Sequence, residues 1–259
     1  MTPTFAFFDV DGTLLSFKSM FSFQDYYLLH GARGRPWLGR LRRARFNARI
    51  RAYERAGKPR EFINRAYYRS FRGRRADEVA RAVWAWWADV PLRTPRPYLD
   101  EVVRELRHHQ AEGTEPVFVS GSSHAILAPL AAELGVRHLL ATRPVTAGGR
   151  YTGAIEPPQT IGAGKAVAVR RFLREQGADP AACYGYGDHH SDIAMLESVG
   201  RPCAVGGDDA LERYARYRGW RILRPGDEIG APGQFPDTSG HVAALAATVP
   251  SPPTLSRIP

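Results

Sequence analysis

Two kinds of apolar pattern alternate along the chain, and the change from one to the other divides it. Residues 5–8 read Phe-Ala-Phe-Phe, a short continuous apolar run that suits a strand covered on both faces within a parallel sheet. From residue 19 to about 90 the pattern becomes helical. The stretches "SMFSFQDYYLLH", "PWLGRLRRARFNARIRAYERAG", "PREFINRAYYRSF" and "ADEVARAVWAWWADV" each repeat apolar positions at three- and four-residue spacing. Pro36 and Pro59 stand near helix starts, and Gly31, Gly57 and Gly73 near ends. One more helix is predicted in "TPRPYLDEVVRELRHHQAEG". Strand and helix then alternate, with strands expected at 116–120, 138–142, 183–187 and 202–205 and a hairpin around Gly148-Gly149.

The pattern predicts a doubly wound α/β fold with a parallel sheet, built from residues 1–16 and 92–224 and interrupted after its first strand by an all-helical insertion, 17–91. Trp84, Trp86 and Trp87 are expected to pack where the insertion returns. The stretch 225–259 is rich in Pro and Gly and is expected to be a loosely ordered tail. No run approaches the ~18 apolar residues of a membrane span, and no basic-then-apolar leader opens the chain, so a cytoplasmic protein is expected. Cys183 and Cys203 show no metal-ligand spacing and are expected to be reduced thiols.

Charge changes this picture in one place. Between Arg33 and Arg81 there are 17 Arg and Lys against 4 acids, a net of +13, so the remainder of a chain of net charge +10 carries −3. Such density suits phosphorylated ligands, nucleic acid or an anionic membrane, and equally suits solvated helix faces. Only Lys18, Lys58 and Lys165 are lysines among 36 basic residues.

The candidate chemistry lies at strand ends. Asp9 and Asp11 follow the first apolar run, where carboxylates are costly unless compensated and where open α/β sheets bind ligands. Ser120 and Gly121 follow the second strand, and their hydroxyl and amide suit a phosphate. Lys165 falls in the first turn of a helix, unfavourable for a cation on dipole grounds. Asp188 ends another strand, and Asp192 stands four residues on, as a helix cap or as a further acid. Asp9, Asp11 and Asp188 together offer hard oxygen ligands of the kind that suits Mg²⁺.

In this order, "DVDGT", Ser120, Lys165 and "GDHHSD" resemble the four motifs of haloacid-dehalogenase (HAD) superfamily phosphatases, in the branch similar to phosphoserine phosphatases. The resemblance covers about residues 4–223 and implies a Rossmann-like core with a helical cap. It implies Asp9 as nucleophile, Asp11 as general acid and base, and Ser120, Gly121 and Lys165 as phosphate ligands. Asp9, the Asp11 carbonyl and Asp188 would hold Mg²⁺, with Asp192 orienting water in its shell. The expected function is a Mg²⁺-dependent phosphatase acting through an aspartyl-phosphate on a small phosphorylated metabolite. Phosphomutase chemistry, and a lipid phosphate or polynucleotide recruited by the basic cap, stay open. His189 departs from the family's small residue and, with His190, leaves the pocket's shape open. Lys18 replaces the glutamate usual in phosphoserine phosphatases and is expected to contact the leaving group, disfavouring an ammonium-bearing substrate.

Overall fold

The computed structural model describes residues 2–31 and 36–224, so the expectation of a loose tail lies outside the described residues. Strand β1 spans Phe5–Phe8 and is followed by five helices: α1 (Ser19–His30), α2 (Pro36–Arg55), α3 (Arg60–Arg69), α4 (Ala76–Arg93) and α5 (Asp100–Ala111). The chain continues through β2 (Glu115–Ser123), α6 (His124–Leu134), β3 (His138–Thr142) and the hairpin β4 (Pro144–Ala147) and β5 (Arg150–Ile155). It then runs through α7 (Ala163–Gln176), β6 (Tyr184–Gly187), α8 (Ile193–Leu196), β7 (Arg201–Val205), α9 (Asp209–Arg218) and β8 (Arg221–Leu223).

Six strands form a parallel sheet in the order β3-β2-β1-β6-β7-β8. The strand order reverses at β1, where Phe8 pairs with Phe118 of β2 on one side and Tyr186 of β6 on the other. The crevice beyond the carboxyl ends of β1 and β6 is therefore the switch point at which such sheets bind ligands. The period of two in a strand sends Phe5 and Phe7 to one face, against Val169, Phe172 and Leu196. Ala6 and Phe8 go to the other, against Leu106, Leu130 and Tyr186. Both faces are dry, which explains why β1 carries no polar residue.

Helices α1–α4 build a further hydrophobic cluster around Phe23, Phe46, Tyr67, Val83 and Trp86, which Ile126 of α6 joins and against which Tyr151 and Ile155 of the hairpin pack. The three tryptophans of α4 separate. Trp86 is buried, Trp87 is half-buried and donates its indole N–H to Glu133 Oε2 at 2.8 Å, and Trp84 faces solvent. Both cysteines are buried and free. Among the described residues, no helix is long and apolar enough to cross a membrane.

Sequence periodicity stops short in two places. Strand β2 continues past 120 to Ser123, so Ser120 and Gly121 lie within the strand rather than in a loop after it. The edge strand β8 is three residues long and carries too little pattern to be read.

Beneath the sheet face lined by α5 lies a buried polar chain. Arg221 Nη2 donates to Glu105 Oε1 at 2.6 Å, Tyr186 donates its hydroxyl to Glu105 Oε2 at 3.0 Å, and His109 Nε2 lies 2.9 Å from that hydroxyl. Because the tyrosine proton is committed to Glu105, the imidazole is the donor to the tyrosine oxygen. Burial pushes the His109 pKa down from 6.5 to about 4. The unfolded chain thus binds a proton at this position below pH 6.5 and the native chain only below about 4. Its contribution is whole above the first value and lost as pH falls towards the second, about 3 kcal/mol in all. Denaturant titrations between those pH values should show the acid-side slope flattened in His109→Gln; an unchanged slope would place the proton uptake elsewhere.

Candidate active site

Every residue singled out at the strand ends converges on the switch point. One cavity of about 380 Å³ is lined by Asp9, Asp11, Lys18, Ser120, Gly121, Lys165 and His189, with Met20, Phe21, Ile63 and Ile161 forming an apolar wall and Glu54, Arg60, Asn64 and Ser191 adding polar groups.

Asp9 leaves β1 with its backbone N–H still donating to Tyr186 O at 2.9 Å, so the sheet itself fixes its position. Its carboxylate accepts from Val10 N at 2.7 Å and lies 2.8 Å from Lys165 Nζ. Burial opposes its ionisation, but the Lys165 ammonium outweighs that and holds its pKa below the ordinary value. Asp11, two residues on, behaves oppositely. Burial raises its pKa, with the charge of Asp9 adding to the shift, while Ser19 N–H donates to its Oδ1 at 2.9 Å and fixes its direction. The two acids thus differ in their readiness to hold a proton.

Lys165 sits in the first turn of α7, where the dipole disfavours it, and is buried. Burial alone would lower its pKa. The carboxylates of Asp192 at 2.7 Å and Asp9 at 2.8 Å reverse this and hold it above the ordinary value. Its charge belongs to the strand-end acids, not to the helix.

The carboxylates of Asp9, Asp188 and Asp192 bring oxygens within 4.8 Å of one another. Glycine permits this crowding. A Cβ at Gly12, where φ is +104°, would lie 2.3 Å from Asp188 Oδ2, and one at Gly187 would lie 2.8 Å from Asp192 Cβ. Two observations say that this group lacks positive charge. Burial, with the charge of Asp9 behind it, raises the Asp188 pKa to about 7. Asp192 Oδ2 is buried with no hydrogen-bond partner among the described residues. A hard divalent cation fits such a donor set.

Lys18 points into the same corner. Its ammonium donates to the Asp11 carbonyl oxygen and lies 3.8 Å from Asp188 Oδ2. His189 lines the cavity and accepts the Ser191 N–H at its Nδ1, 3.1 Å away; burial lowers its pKa to about 4, with the Arg60 charge adding to this. His190 turns outward, its Nδ1 2.9 Å from Asp208 Oδ2.

Sequence reading did not find the groups that seat the helical insertion on the sheet. Gly121 O accepts from Asn64 Nδ2 at 3.0 Å and from the Tyr68 hydroxyl at 2.8 Å, both on α3. Ser19 and Ser122 share a hydroxyl contact of 2.8 Å, and Arg60 Nη1 donates to Ser191 Oγ at 2.8 Å. The one legible signal was Asn64, a short polar side chain on the apolar side of α3.

Residues 6–197 match the haloacid dehalogenase-like hydrolase family, and the chain belongs to it. It is a hydrolase of the HAD phosphatase type, in the phosphoserine-phosphatase-like branch. It is 34% identical over 224 residues to the inhibition of morphological differentiation protein of Streptomyces azureus, covering 85% of this chain and 78% of that one. It is 32% identical over 152 residues to a phosphoserine phosphatase of Mycobacterium tuberculosis, covering 56% of this chain and 49% of the relative. Among solved structures it is similar to a Bordetella pertussis protein of unknown function, with a TM-score of 0.72, 29% identity, and coverage of 86% and 99% of the two chains.

If crowding of negative charge is what the cation relieves, Mg²⁺ should raise the melting temperature of the wild-type chain, and EDTA should reverse the rise. Asp188→Asn, which removes one of the crowded charges, should be at least as stable as wild type in EDTA yet gain little from Mg²⁺. An equal Mg²⁺ shift in both chains would remove Asp188 from the cation's ligands.

Proposed function

We propose that the chain hydrolyses the phosphate monoester of a small metabolite through a phosphorylated Asp9. The observation that carries this reading is the pairing, on one cavity, of an ionised Asp9 held by Lys165 with an Asp11 whose pKa is raised. A nucleophile and a proton donor are thereby set side by side.

In the first half-reaction an Asp9 carboxylate oxygen attacks phosphorus as the bond from phosphorus to the leaving oxygen breaks. Asp11 gives its proton to that oxygen, so that an alcohol departs rather than an alkoxide. In the second, Asp11 takes a proton from water as its oxygen attacks phosphorus, and the bond from Asp9 to phosphorus breaks to return the free carboxylate and inorganic phosphate. The Lys165 ammonium, the Ser120 hydroxyl and the Gly121 amide hold the transferring oxygens. Mg²⁺ held by Asp9, the Asp11 carbonyl and Asp188, with Asp192 beside it, would offset repulsion between the anionic nucleophile and the anionic phosphate.

Lys18 bears on substrate choice. Its ammonium lies in the cavity beside the Asp11 carbonyl and Asp188, the groups that would hold Mg²⁺, and with those groups engaged it would be free to meet the substrate. There it favours an anionic or hydroxyl-rich leaving group and opposes an ammonium, which weighs against phosphoserine.

Phosphate release across sugar phosphates, nucleotides, phosphoamino acids and lipid phosphates tests the reading. Asp9→Asn should abolish release and Asp11→Asn should reduce it by about 10²–10⁴-fold. Near-wild-type release by folded Asp9→Asn would end the nucleophile assignment. Lys18→Ala should lower kcat/KM by roughly ten- to a hundredfold on the preferred substrate, the worth of one charged hydrogen bond, with little change on an aryl phosphate. Equal losses on both would assign Lys18 to the phosphoryl end of the cavity.

A further inference from the structure

Helix α2 has two apolar faces. The inner one, Gly39, Phe46 and Ile50, is buried against the rest of the insertion. The outer one is Trp37, Leu41, Ala44 and Ala48, spaced four, three and four residues apart, and all of it is exposed. Trp37 is 63% and Leu41 39% accessible, one helical turn apart. At 3.6 residues per turn this stripe lies opposite the buried face, with Arg40 and Arg51 along one edge and Arg45 and Arg49 along the other.

The helix carries seven arginines and one acid, Glu54 near its carboxyl end. Only Arg43, which lies towards the inner side, forms an ion pair among the described residues, 2.8 Å from Asp25. The stripe and its edges thus offer exposed apolar surface and cationic charge together.

We infer that the outer face of α2 docks on an anionic phospholipid surface. A helix lying in the headgroup plane needs a modest apolar side to enter the acyl boundary and basic residues beside it to meet the phosphates. Here the tryptophan and leucine supply the first and the flanking arginines the second. Guanidinium groups pair with phosphate oxygens in a bidentate way. A polynucleotide fits the same surface less well. Its phosphates would follow one continuous basic track, whereas here the basic edges are parted by four apolar side chains. Glu54, which borders the catalytic cavity, lies towards the inner side of the same helix, so the docking face and the cavity occupy different sides of α2. The inference stands on the surface alone and does not require the proposed phosphatase chemistry.

The test is co-sedimentation of the full chain with phosphatidylcholine vesicles, with and without phosphatidylglycerol. Binding should require the anionic lipid and fall steeply as ionic strength rises and screens the arginines. The double variant Trp37→Ala/Leu41→Ala should bind at least tenfold more weakly. The triple variant Arg40→Gln/Arg45→Gln/Arg49→Gln should lose both affinity and salt dependence. Circular dichroism and aryl phosphate hydrolysis should match wild type in both variants, showing that fold and active site are intact. Three results would overturn the inference: no binding to anionic vesicles at low salt, binding insensitive to Trp37 and Leu41, or tighter binding to duplex oligonucleotide at equal phosphate concentration. Self-association that the double variant abolishes would likewise overturn it, by assigning the face to a second copy of the chain.

Discussion

Lys165 lies between Asp9 and Asp192, at 2.8 and 2.7 Å, and the carboxyl end of the sheet is organised around that buried ammonium. Four acids from two strand ends meet there, and one fixed cation cannot neutralise them all. It takes Asp9 and one oxygen of Asp192, leaving Asp188 reluctant to ionise and Asp192 Oδ2 without a partner. The imbalance differentiates chemically identical groups. Asp9 is held ready as an anion, Asp11 is biased towards its proton, and the remainder form a receptor for further positive charge.

Keeping these acids close rather than letting them relax apart is the task of the scaffold. Parallel pairing of β1 with β6 sets the separation of Asp9 and Asp188, and the dry faces of the sheet leave the strands no freedom to slide. The missing side chains at Gly12 and Gly187 provide the clearance. Across the cavity the insertion is seated by the polar grip of Asn64 and Tyr68 on the Gly121 carbonyl and by apolar contacts with Ile126 of α6 and Tyr151 and Ile155 of the hairpin.

How much of this was legible in the sequence depended on how local the cause was. β1, the four helices of the insertion and the hairpin follow from periodicity and turn residues, and the structure has them close to where the pattern places them. Asp9, Asp11, Lys165 and Asp188 could be named because each sits at an abrupt change from apolar run to polar residue. The bonds of Asn64, Tyr68 and Arg60 to the core could not be, because they exist only once α3 lies across the end of β2, over fifty residues away in the chain. The buried chain from Arg221 through Glu105 and Tyr186 to His109 escaped for the same reason. The turn of Lys18 towards the Asp11 carbonyl could not be read either, because no spacing rule says which way an ammonium seven residues along the chain will face.

The position of β1 in the sheet has a consequence for the chain as it is made. Strand β1 is an interior one, and its neighbours, residues 115–118 and 184–186, are both made after it. At the usual ~5–20 residues per second, roughly 5–20 s pass before β2 exists to pair with it. During that time three phenylalanines and a set of unpaired backbone amides stay uncovered, while α1–α4 can already pack against one another. The nascent chain therefore holds its helical insertion before its sheet, and the apolar strand that ends at Asp9 is the one left waiting for partners.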